Sequence, residues 1–189
     1  MDNELALRAR QGDLAAFEQL FKLHQKRVYN IALQMLRDET EAADATQDVF
    51  VKAYRSISDL ASEAAFVTWL KTIAVNVCRD IVRKRGHVRL ESLDARVEAS
   101  DGSQMDNEVA DWSTNPERTL DKKQTRELVQ KAISSLSPDY REVVTLFYVD
   151  GADVAEIAKV TGCPTGTVKS RLSRAREMLK RKLECYVRD

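Results

Sequence analysis

The chain has 189 residues, of which 43% are hydrophobic and 32% charged, and its 30 basic and 30 acidic side chains leave no formal net charge. This composition is typical of a globular protein with one medium domain or two small ones, and it excludes a disordered chain. No apolar run reaches the roughly 20 residues that a membrane-spanning helix needs, and residues 1–10 lack the apolar core of a signal peptide. We therefore expect a cytoplasmic protein with no membrane insertion.

Helical patterns fill the first 85 residues. A short helix over 4–11 is predicted to end at Gly12, and Asp13 is placed to cap the next helix. The second helix carries apolar residues every three or four positions, which predicts one buried stripe. The stripe consists of Phe17, Phe21, His24, Val28, Ile31 and Met35. We interpret His24 as a core or boundary residue rather than a metal ligand.

Two further helices follow a polar break at 37–40. The third helix runs through Ile57, and we expect its inward residues to be Ala43, Val49 or Phe50, Ala53 and Ile57. A loop at 58–63 precedes a long helix over 65–85. Its inward face is predicted to hold Phe66, Trp69, Leu70, Ile73, Ala74 and Val77. Its other side is predicted to carry Lys71, Thr72, Val75, Asn76 and Arg79.

The middle of the chain is acidic and the C-terminal part is basic. Residues 1–85 carry 13 basic and 12 acidic side chains, residues 86–118 carry 3 and 8, and residues 119–189 carry 14 and 10. Periodicity is lost between 87 and 116, where Ser, Asp, Gly and Asn accumulate, as in a linker. The predicted fold is all-α, with two small helical bundles at 1–86 and 118–189 joined by a flexible acidic linker at 87–117.

The second bundle begins with an amphipathic helix and a helix that starts at Pro138, capped by Ser137. The apolar positions of the amphipathic helix are Leu120, Leu128, Val129, Ala132 and Ile133. Residues 154–179 then have the pattern of a helix-turn-helix, with Gly162 at the turn and Pro164 opening the second helix. The buried stripe of that helix is predicted to be Val168, Leu172, Ala175, Leu179 and Leu183.

Basic residues crowd the second helix of this motif away from its buried stripe. Between Lys169 and Lys182 the only acid is Glu177, against seven basic residues. Such a helix fits a major groove, with short side chains near base edges and guanidinium groups on phosphates. A solvated basic face is the alternative. We expect Arg171, Arg174 and Arg176 to point outward with Lys169.

Cysteine and histidine are too sparse for a metal site. Cys78, Cys163 and Cys185 are far apart, and no pair has the spacing of zinc ligands. The sequence also lacks a Gly-rich phosphate loop, a nucleophile elbow and a clustered His/Asp/Glu site. We therefore expect no metal, no cofactor, no small-molecule substrate and no enzyme activity, and we interpret the thiols as buried or incidental.

Four motifs in this order resemble bacterial sigma factors of the extracytoplasmic-function (ECF) type, which belong to the sigma-70 family. They are RQGDLAAFEQLF, DATQDVFVKAYRSI, AAFVTWLKTIAVNVCRDIVRK, and LSPDYREVV followed by EIAKVTGCPTGTVKSRLSRAREML. The resemblance covers nearly the whole chain and implies sigma regions 2 and 4 at 1–86 and 118–189. It implies a transcription initiation subunit that binds core RNA polymerase, directs it to −10 and −35 promoter elements and promotes strand opening. It also implies an anti-sigma partner and a role in a stress response.

The resemblance implies three sets of contact residues. The set that binds a coiled coil of the polymerase consists of Asp44, Gln47, Asp48 and Lys52. The −10 set consists of Ser58, Leu60, Ala61 and Ser62 in the loop, and Lys71, Thr72, Asn76 and Arg79 on the next helix. The −35 set consists of Thr167, Lys169, Ser170, Arg171, Ser173 and Arg174.

Several alternatives remain open on the residues themselves. Asp44 and Asp48 also favour the N-terminal half of a helix, and Trp69 fits the core better than a base-stacking platform. The acidic linker either enters a nucleic-acid channel of the polymerase or is a solvated, extended tether. The rival function is a helix-turn-helix regulator that binds duplex DNA without polymerase.

Overall fold

The chain folds into helices whose ends follow local capping signals. The structure, a computed structural model, describes residues 2–62, 65–93 and 128–187, and these ranges contain helices and no strand. The N-terminal bundle consists of α1 (Asp2–Arg10), α2 (Leu14–Leu36), α3 (Glu39–Ser56) with a 3₁₀ turn at Ile57–Asp59, and α4 (Phe66–Leu93). The C-terminal bundle consists of α5 (128–134), α6 (Pro138–Val144) with a π turn at Thr145–Val149, α7 (Val154–Thr161) and α8 (Thr165–Val187). The predicted all-α fold is confirmed.

Capping explains where the first helices begin and end. Gly12 has φ 94° after α1, and the Asp13 side chain accepts a hydrogen bond from the Ala16 N–H at 3.1 Å, as predicted. Asp38 caps α3 in the same way, accepting from the Glu41 N–H at 2.8 Å. Ser137 precedes Pro138 as expected, but its side chain makes no capping hydrogen bond.

Helix α4 is longer than its sequence pattern predicts. We expected a helix over 65–85 and a linker from residue 87, whereas α4 continues through Gly86 to Leu93. A single glycine costs a helix about 1 kcal/mol and does not end it when the following residues have adequate helix propensity. The rest of the expected linker, at 94–117, and Leu120 lie outside the described residues.

The two bundles share one apolar core. Val75 on α4 is fully buried in the same cluster as Val143, Leu146, Ile157 and Val160 of the C-terminal bundle. Val75 was expected on the outer side of α4, and this expectation was wrong because α7 packs against that side of the helix. The bundles therefore share a joint hydrophobic core, while a smaller second cluster within the C-terminal bundle consists of Ile133, Leu136, Val144 and Ala175.

The inward face of α3 differs from the prediction at one residue, Ala43, while Ala53 and Ile57 are buried as expected. Ala43 is exposed, while Ala42 and Ala45 are fully buried. Val49 and Phe50 are both buried, which answers the alternative that the sequence left open. Because α3 packs against α2 on one side and α4 on the other, its buried face is wider than a single stripe.

A buried arginine joins the two bundles through main-chain carbonyls. Arg141 is 5% exposed, and its guanidinium donates to Met35 O at 2.9 Å, Ser134 O at 3.1 Å and Leu136 O at 2.7 Å. Burial lowers the pKa of Arg141 to about 10, with smaller contributions from the nearby charges of Arg37 and Arg85. The side chain remains protonated at neutral pH, so its donors stay available.

Candidate functional site

The expected polymerase-binding residues lie on the exposed side of α3. Asp44, Gln47, Asp48 and Lys52 are all exposed, and the spacings of three, four and eight place them on neighbouring turns of one helix surface. Sequence reasoning missed Val51, which is 48% exposed seven residues after Asp44. An apolar residue outside the buried stripe was the signal that could have identified it.

A groove separates this side of α3 from the C-terminal half of α4. It has a volume of about 340 Å³. Its lining residues are Asp48, Lys52, Val77, Asp80, Ile81, Arg83 and Lys84. The groove therefore presents both charge signs around an apolar floor, which suits a protein partner with polar and charged side chains.

The loop after α3 exposes three of its four predicted DNA-binding residues. Ser58, Ala61 and Ser62 are exposed, while Leu60 is only 2% exposed. The Leu60 N–H donates to Ile57 O at 3.2 Å, and this turn directs the Leu60 side chain into the core. The expectation that Leu60 is presented to DNA is therefore wrong in this arrangement. Residues 63 and 64 lie outside the described residues.

The predicted −10 face of α4 is covered by the C-terminal bundle at Lys71. Lys71 is 4% exposed, and its Nζ lies 2.7 Å from Glu156 Oε1 and 2.5 Å from Asp150 Oδ2. The contact with Oδ2 is an ion pair without the alignment of a hydrogen bond. Asp150 also accepts from Arg27 Nε at 2.5 Å, and its side chain has no exposed area. Lys71 was expected to point outward, and it does not in this arrangement.

Arg79 is held by the same bundle. Its guanidinium donates to both carboxylate oxygens of Glu142, at 2.8 and 2.6 Å, and to Thr161 O at 3.0 Å. The hydrogen bonds to Glu142 raise the pKa of Arg79 above its usual value. Thr72 is half-buried and donates to Thr68 O at 2.9 Å, so Asn76 is the one exposed residue of the four predicted on α4.

The helix-turn-helix forms as the sequence predicts. The Asp153 side chain caps α7 by accepting from the Glu156 N–H at 2.8 Å, and Gly162 has φ 70° at the turn. Val168, Leu172 and Ala175 are buried on α8. The motif therefore rests on a packed interior and presents the other faces of α8 outward.

The predicted −35 residues divide into exposed and partly engaged groups. Lys169, Ser170, Ser173 and Arg174 are exposed, and Thr167 is half-buried. Arg171 is also half-buried, and its Nη2 donates to Asp139 at 2.6 Å. Thus four of the six residues form an open basic and hydroxyl surface on α8.

Arg176 is exposed, as expected, and its guanidinium also contacts two aromatic rings of the π turn. Its guanidinium carbon lies 5.3 Å from the Phe147 ring centroid and 5.7 Å from that of Tyr148, and its Nε donates to the Tyr148 hydroxyl at 2.6 Å. Cation–π contact with two adjacent rings therefore orients this exposed arginine along the surface of the C-terminal bundle.

Comparison with known proteins identifies the two bundles. The sigma-70 region 2 family matches residues 20–88, and the sigma-70 region 4 family matches residues 126–179. The chain is 32% identical over 188 residues to the RNA polymerase sigma-H factor of Pseudomonas aeruginosa, covering all of this chain and 96% of that one. It is 33% identical over 187 residues to the ECF RNA polymerase sigma-E factor of Escherichia coli K12, covering 99% and 96%. The chain belongs to the ECF sigma factors of the sigma-70 family. It is an alternative sigma factor, which directs RNA polymerase to promoters.

Two solved structures, one of them of a sigma factor, have the same fold. CnrH, in complex with the cytosolic domain of CnrY, aligns with a TM-score of 0.69 and 27% identity over 97% of both chains. RpoE of Bartonella quintana, in complex with the anti-sigma factor NepR, aligns with a TM-score of 0.65 and 27% identity, covering 89% of this chain and 96% of that one. The likeness therefore extends over both bundles.

The thiol at the junction of the bundles is inert by its environment. Cys78 has no exposed area, and burial raises its thiol pKa to about 12, with a smaller contribution from the charge of Glu142. This supports the interpretation of Cys78 as a packing residue in the ECF sigma factor.

The described part of the chain holds no group of three His, Cys, Asp or Glu residues arranged for a metal ion. Nor does it contain a helix long and apolar enough to cross a membrane.

Proposed function

We propose that this sigma factor binds core RNA polymerase through α3 and reads the −10 and −35 elements with its two bundles. Residues 1–86 would bind the polymerase and melt the −10 region, residues 118–189 would read the −35 element, and 87–117 would link them. The observation that carries this proposal is the exposed set Asp44, Gln47, Asp48 and Lys52 on α3, within the region 2 match.

The chemistry of α3 supports protein binding. Two carboxylates and an amide form charge-assisted hydrogen bonds with basic side chains of a partner. The exposed apolar side chain of Val51 lies among them and adds buried area on docking. If Asp44 and Asp48 only stabilised the N-terminal half of α3, an exposed apolar residue beside them would have no purpose.

The −35 proposal rests on the outer face of α8. Lys169 and Arg174 are exposed cations for phosphates, and Ser170 and Ser173 are short enough to reach base edges. Thr167 and Arg171 complete the set, with Arg171 held by Asp139 at 2.6 Å. An arginine oriented in this way is restricted to fewer conformations before it meets DNA.

The −10 proposal uses the loop after α3 together with α4. Ser58, Ala61 and Ser62 are exposed and would contact a base that leaves the stack, and Leu60 supports the loop from the core. The remaining members of the set lie on α4. They are Lys71, Thr72, Asn76 and Arg79.

We also propose an anti-sigma protein as a partner, a cytoplasmic location and a role without catalysis or a cofactor. The structures of CnrH with CnrY and of RpoE with NepR, which share this fold, support the partner. Loss of activity in a reconstituted transcription reaction on adding a candidate small protein from the native host would test it.

Transcription by core RNA polymerase on a promoter library tests the main proposal. The variant Asp44→Arg/Asp48→Arg should lose core binding and transcripts, because it reverses two charges on the α3 face. The control Glu4→Arg/Glu18→Arg makes the same charge change at exposed positions of α1 and α2 and should keep both activities. Equal loss in both variants would contradict the α3 assignment.

The same promoter library distinguishes a sigma factor from the rival function, a helix-turn-helix regulator that acts without polymerase. The variant Lys169→Ala/Arg174→Ala should lose transcripts from templates that depend on the −35 element while keeping core binding. Tight binding of the free protein to duplex DNA, with no affinity for core polymerase, would favour a regulator that acts without polymerase.

A further inference from the structure

Four arginines line a cleft beside α4, α6 and α8. The cleft has a volume of about 400 Å³, which lies within the range of small-molecule sites. Its basic lining residues are Arg79, Arg83, Arg141 and Arg171. We refer to this space as the arginine cleft. Three separate helices therefore contribute guanidinium groups to one space.

The positive charge of the arginine cleft exceeds its negative charge. Its two acidic residues already have partners, because Glu142 accepts two hydrogen bonds from Arg79. Asp139 likewise accepts one from Arg171 at 2.6 Å. Four cations against two carboxylates leave the lining with a surplus of two positive charges.

Arg141 is the buried member of this surplus. It is 5% exposed, and the acceptors that it contacts are main-chain carbonyls rather than carboxylates. Within the described residues its Nε has no hydrogen-bond acceptor. Burial and the nearby charges of Arg37 and Arg85 lower the pKa of Arg141 to about 10, which is the response of a cation that lacks a counter-charge. An anion in the cleft would supply that counter-charge.

We propose that the arginine cleft binds a small anion that carries a diphosphate group. A guanidinium binds two phosphate oxygens at once, and several such groups on different helices suit a ligand with two charged groups better than a single phosphate. Apolar side chains of Met35, Val82 and Pro138 complete the lining. The cleft therefore accommodates inorganic pyrophosphate, and its apolar part is a surface on which the nucleoside of a nucleoside diphosphate would pack.

An anion in this cleft would also affect promoter binding, a consequence that rests on the proposed function. Arg79 belongs to the −10 set and Arg171 to the −35 set. A diphosphate bound to both arginines competes with DNA phosphates for the same donors. Coupling between two ligands is reciprocal, so promoter DNA lowers the affinity for the anion by the same factor.

Isothermal titration calorimetry of the full chain with inorganic pyrophosphate tests the proposal. Sodium chloride keeps the ionic strength constant, because added ions screen exposed charges. We expect saturable binding of one pyrophosphate per chain. ADP is titrated in parallel to identify the source of the diphosphate. Tighter binding of ADP assigns the site to a nucleotide, whereas an affinity no higher than that of pyrophosphate assigns it to the diphosphate alone.

The test variant Arg83→Gln/Arg171→Gln removes one cation of the cleft from each bundle. These positions tolerate replacement, because Arg83 is 68% exposed and the partner of Arg171, Asp139, is 65% exposed. Affinity for pyrophosphate should fall at least about ten-fold, since each unit charge at about 6 Å in water changes it about three-fold. The control Lys26→Gln/Arg174→Gln removes one exposed cation from each bundle outside the cleft and should keep affinity within about two-fold.

A second variant tests the cleft in the opposite direction. Asp139→Asn removes an exposed carboxylate from the lining and releases Arg171, so affinity for pyrophosphate should rise about three-fold or more. A variant that merely unfolds would lose affinity rather than gain it. Far-UV circular dichroism checks the helical content of every variant.

Cys163 reports where the anion binds, because this half-buried thiol also lines the cleft. Its rate of alkylation by iodoacetamide, measured by mass spectrometry of the peptide that contains it, should fall when pyrophosphate is saturating. Absence of saturable binding would overturn the proposal. Binding that leaves this rate unchanged, or that the test variant and the control weaken equally, would overturn it as well. Transcription with core polymerase is assayed separately, and its absence would contradict the proposed function while calorimetry still judges the cleft.

Discussion

The ion pair between Arg79 and Glu142 provides a quantitative test of how tightly the two bundles are joined. Two hydrogen bonds of 2.8 and 2.6 Å link the guanidinium to both carboxylate oxygens. The Arg79 side chain is 32% exposed, whereas that of Glu142 is only 4% exposed. Removing Arg79 and removing Glu142 should therefore lower the free energy of unfolding by different amounts.

This difference predicts an asymmetric pair of single substitutions. Arg79→Ala leaves a buried carboxylate without a counter-charge and should lower the free energy of unfolding by about 3 kcal/mol, the lower end for a broken buried pair. Glu142→Ala should cost about 1 to 2 kcal/mol, because Arg79 keeps its bond to Thr161 O and reaches water. We expect a coupling energy of about 1 to 2 kcal/mol in the double-mutant cycle, since partial exposure screens the pair.

Urea unfolding of the four proteins, followed by circular dichroism and by tryptophan fluorescence, measures the cycle. The transitions seen by the two probes must coincide, because only then does a single free energy of unfolding describe both bundles. The pair Arg83–Asp80, which is 3.5 Å apart with side chains 68% and 53% exposed, serves as a control within the same helix and should couple by less than about 0.5 kcal/mol. A coupling energy for Arg79 and Glu142 no larger than that of this control would refute the reasoning.

Three further predictions follow from single buried residues. At pH 8 the thiol of Cys78 should react with an aromatic disulfide reagent about a thousand-fold more slowly than a free thiol, because a pKa of about 12 leaves little thiolate; labelling of Cys78 as fast as Cys163 would contradict it. Burial lowers the pKa of His24 below 6.5, so the free energy of unfolding should fall as pH drops through the unfolded-state value near 6.5, and His24→Gln should flatten that dependence in urea titrations. Leu60→Ala should lower the free energy of unfolding by about 2 to 4 kcal/mol, whereas Ser62→Ala, at an exposed position, should change it by less than about 0.5 kcal/mol.

Features that depend on neighbouring residues were predictable from the sequence. The end of α1 at Gly12, the cap at Asp13 and the buried stripe of α2 each use signals within a few residues of one another. The helix-turn-helix is of the same kind, because Gly162 and the stripe of α8 are local. Local propensity and periodicity agree at these positions, so the structure confirms them.

Features that depend on the other bundle were not predictable in this way. Lys71 and Val75 have the pattern of an outer helix face, and they are buried by residues about 80 positions further along the chain. Nothing in the periodicity of α4 indicates that a second surface covers it. Leu60 shows the same limit on a smaller scale, since a single 3₁₀ turn decides whether it faces solvent or the core.

The acceptors that Arg141 binds are main-chain oxygens of Met35, Ser134 and Leu136. Every amino acid supplies the same carbonyl, so replacing any of these three side chains leaves an acceptor in place. The hydrogen bonds of Arg141 therefore do not depend on the side chains at those positions, although Met35 and Leu136 are buried and constrained by packing. Related chains can diverge around the junction of their bundles and keep the same junction, provided that this arginine and the local backbone path are retained.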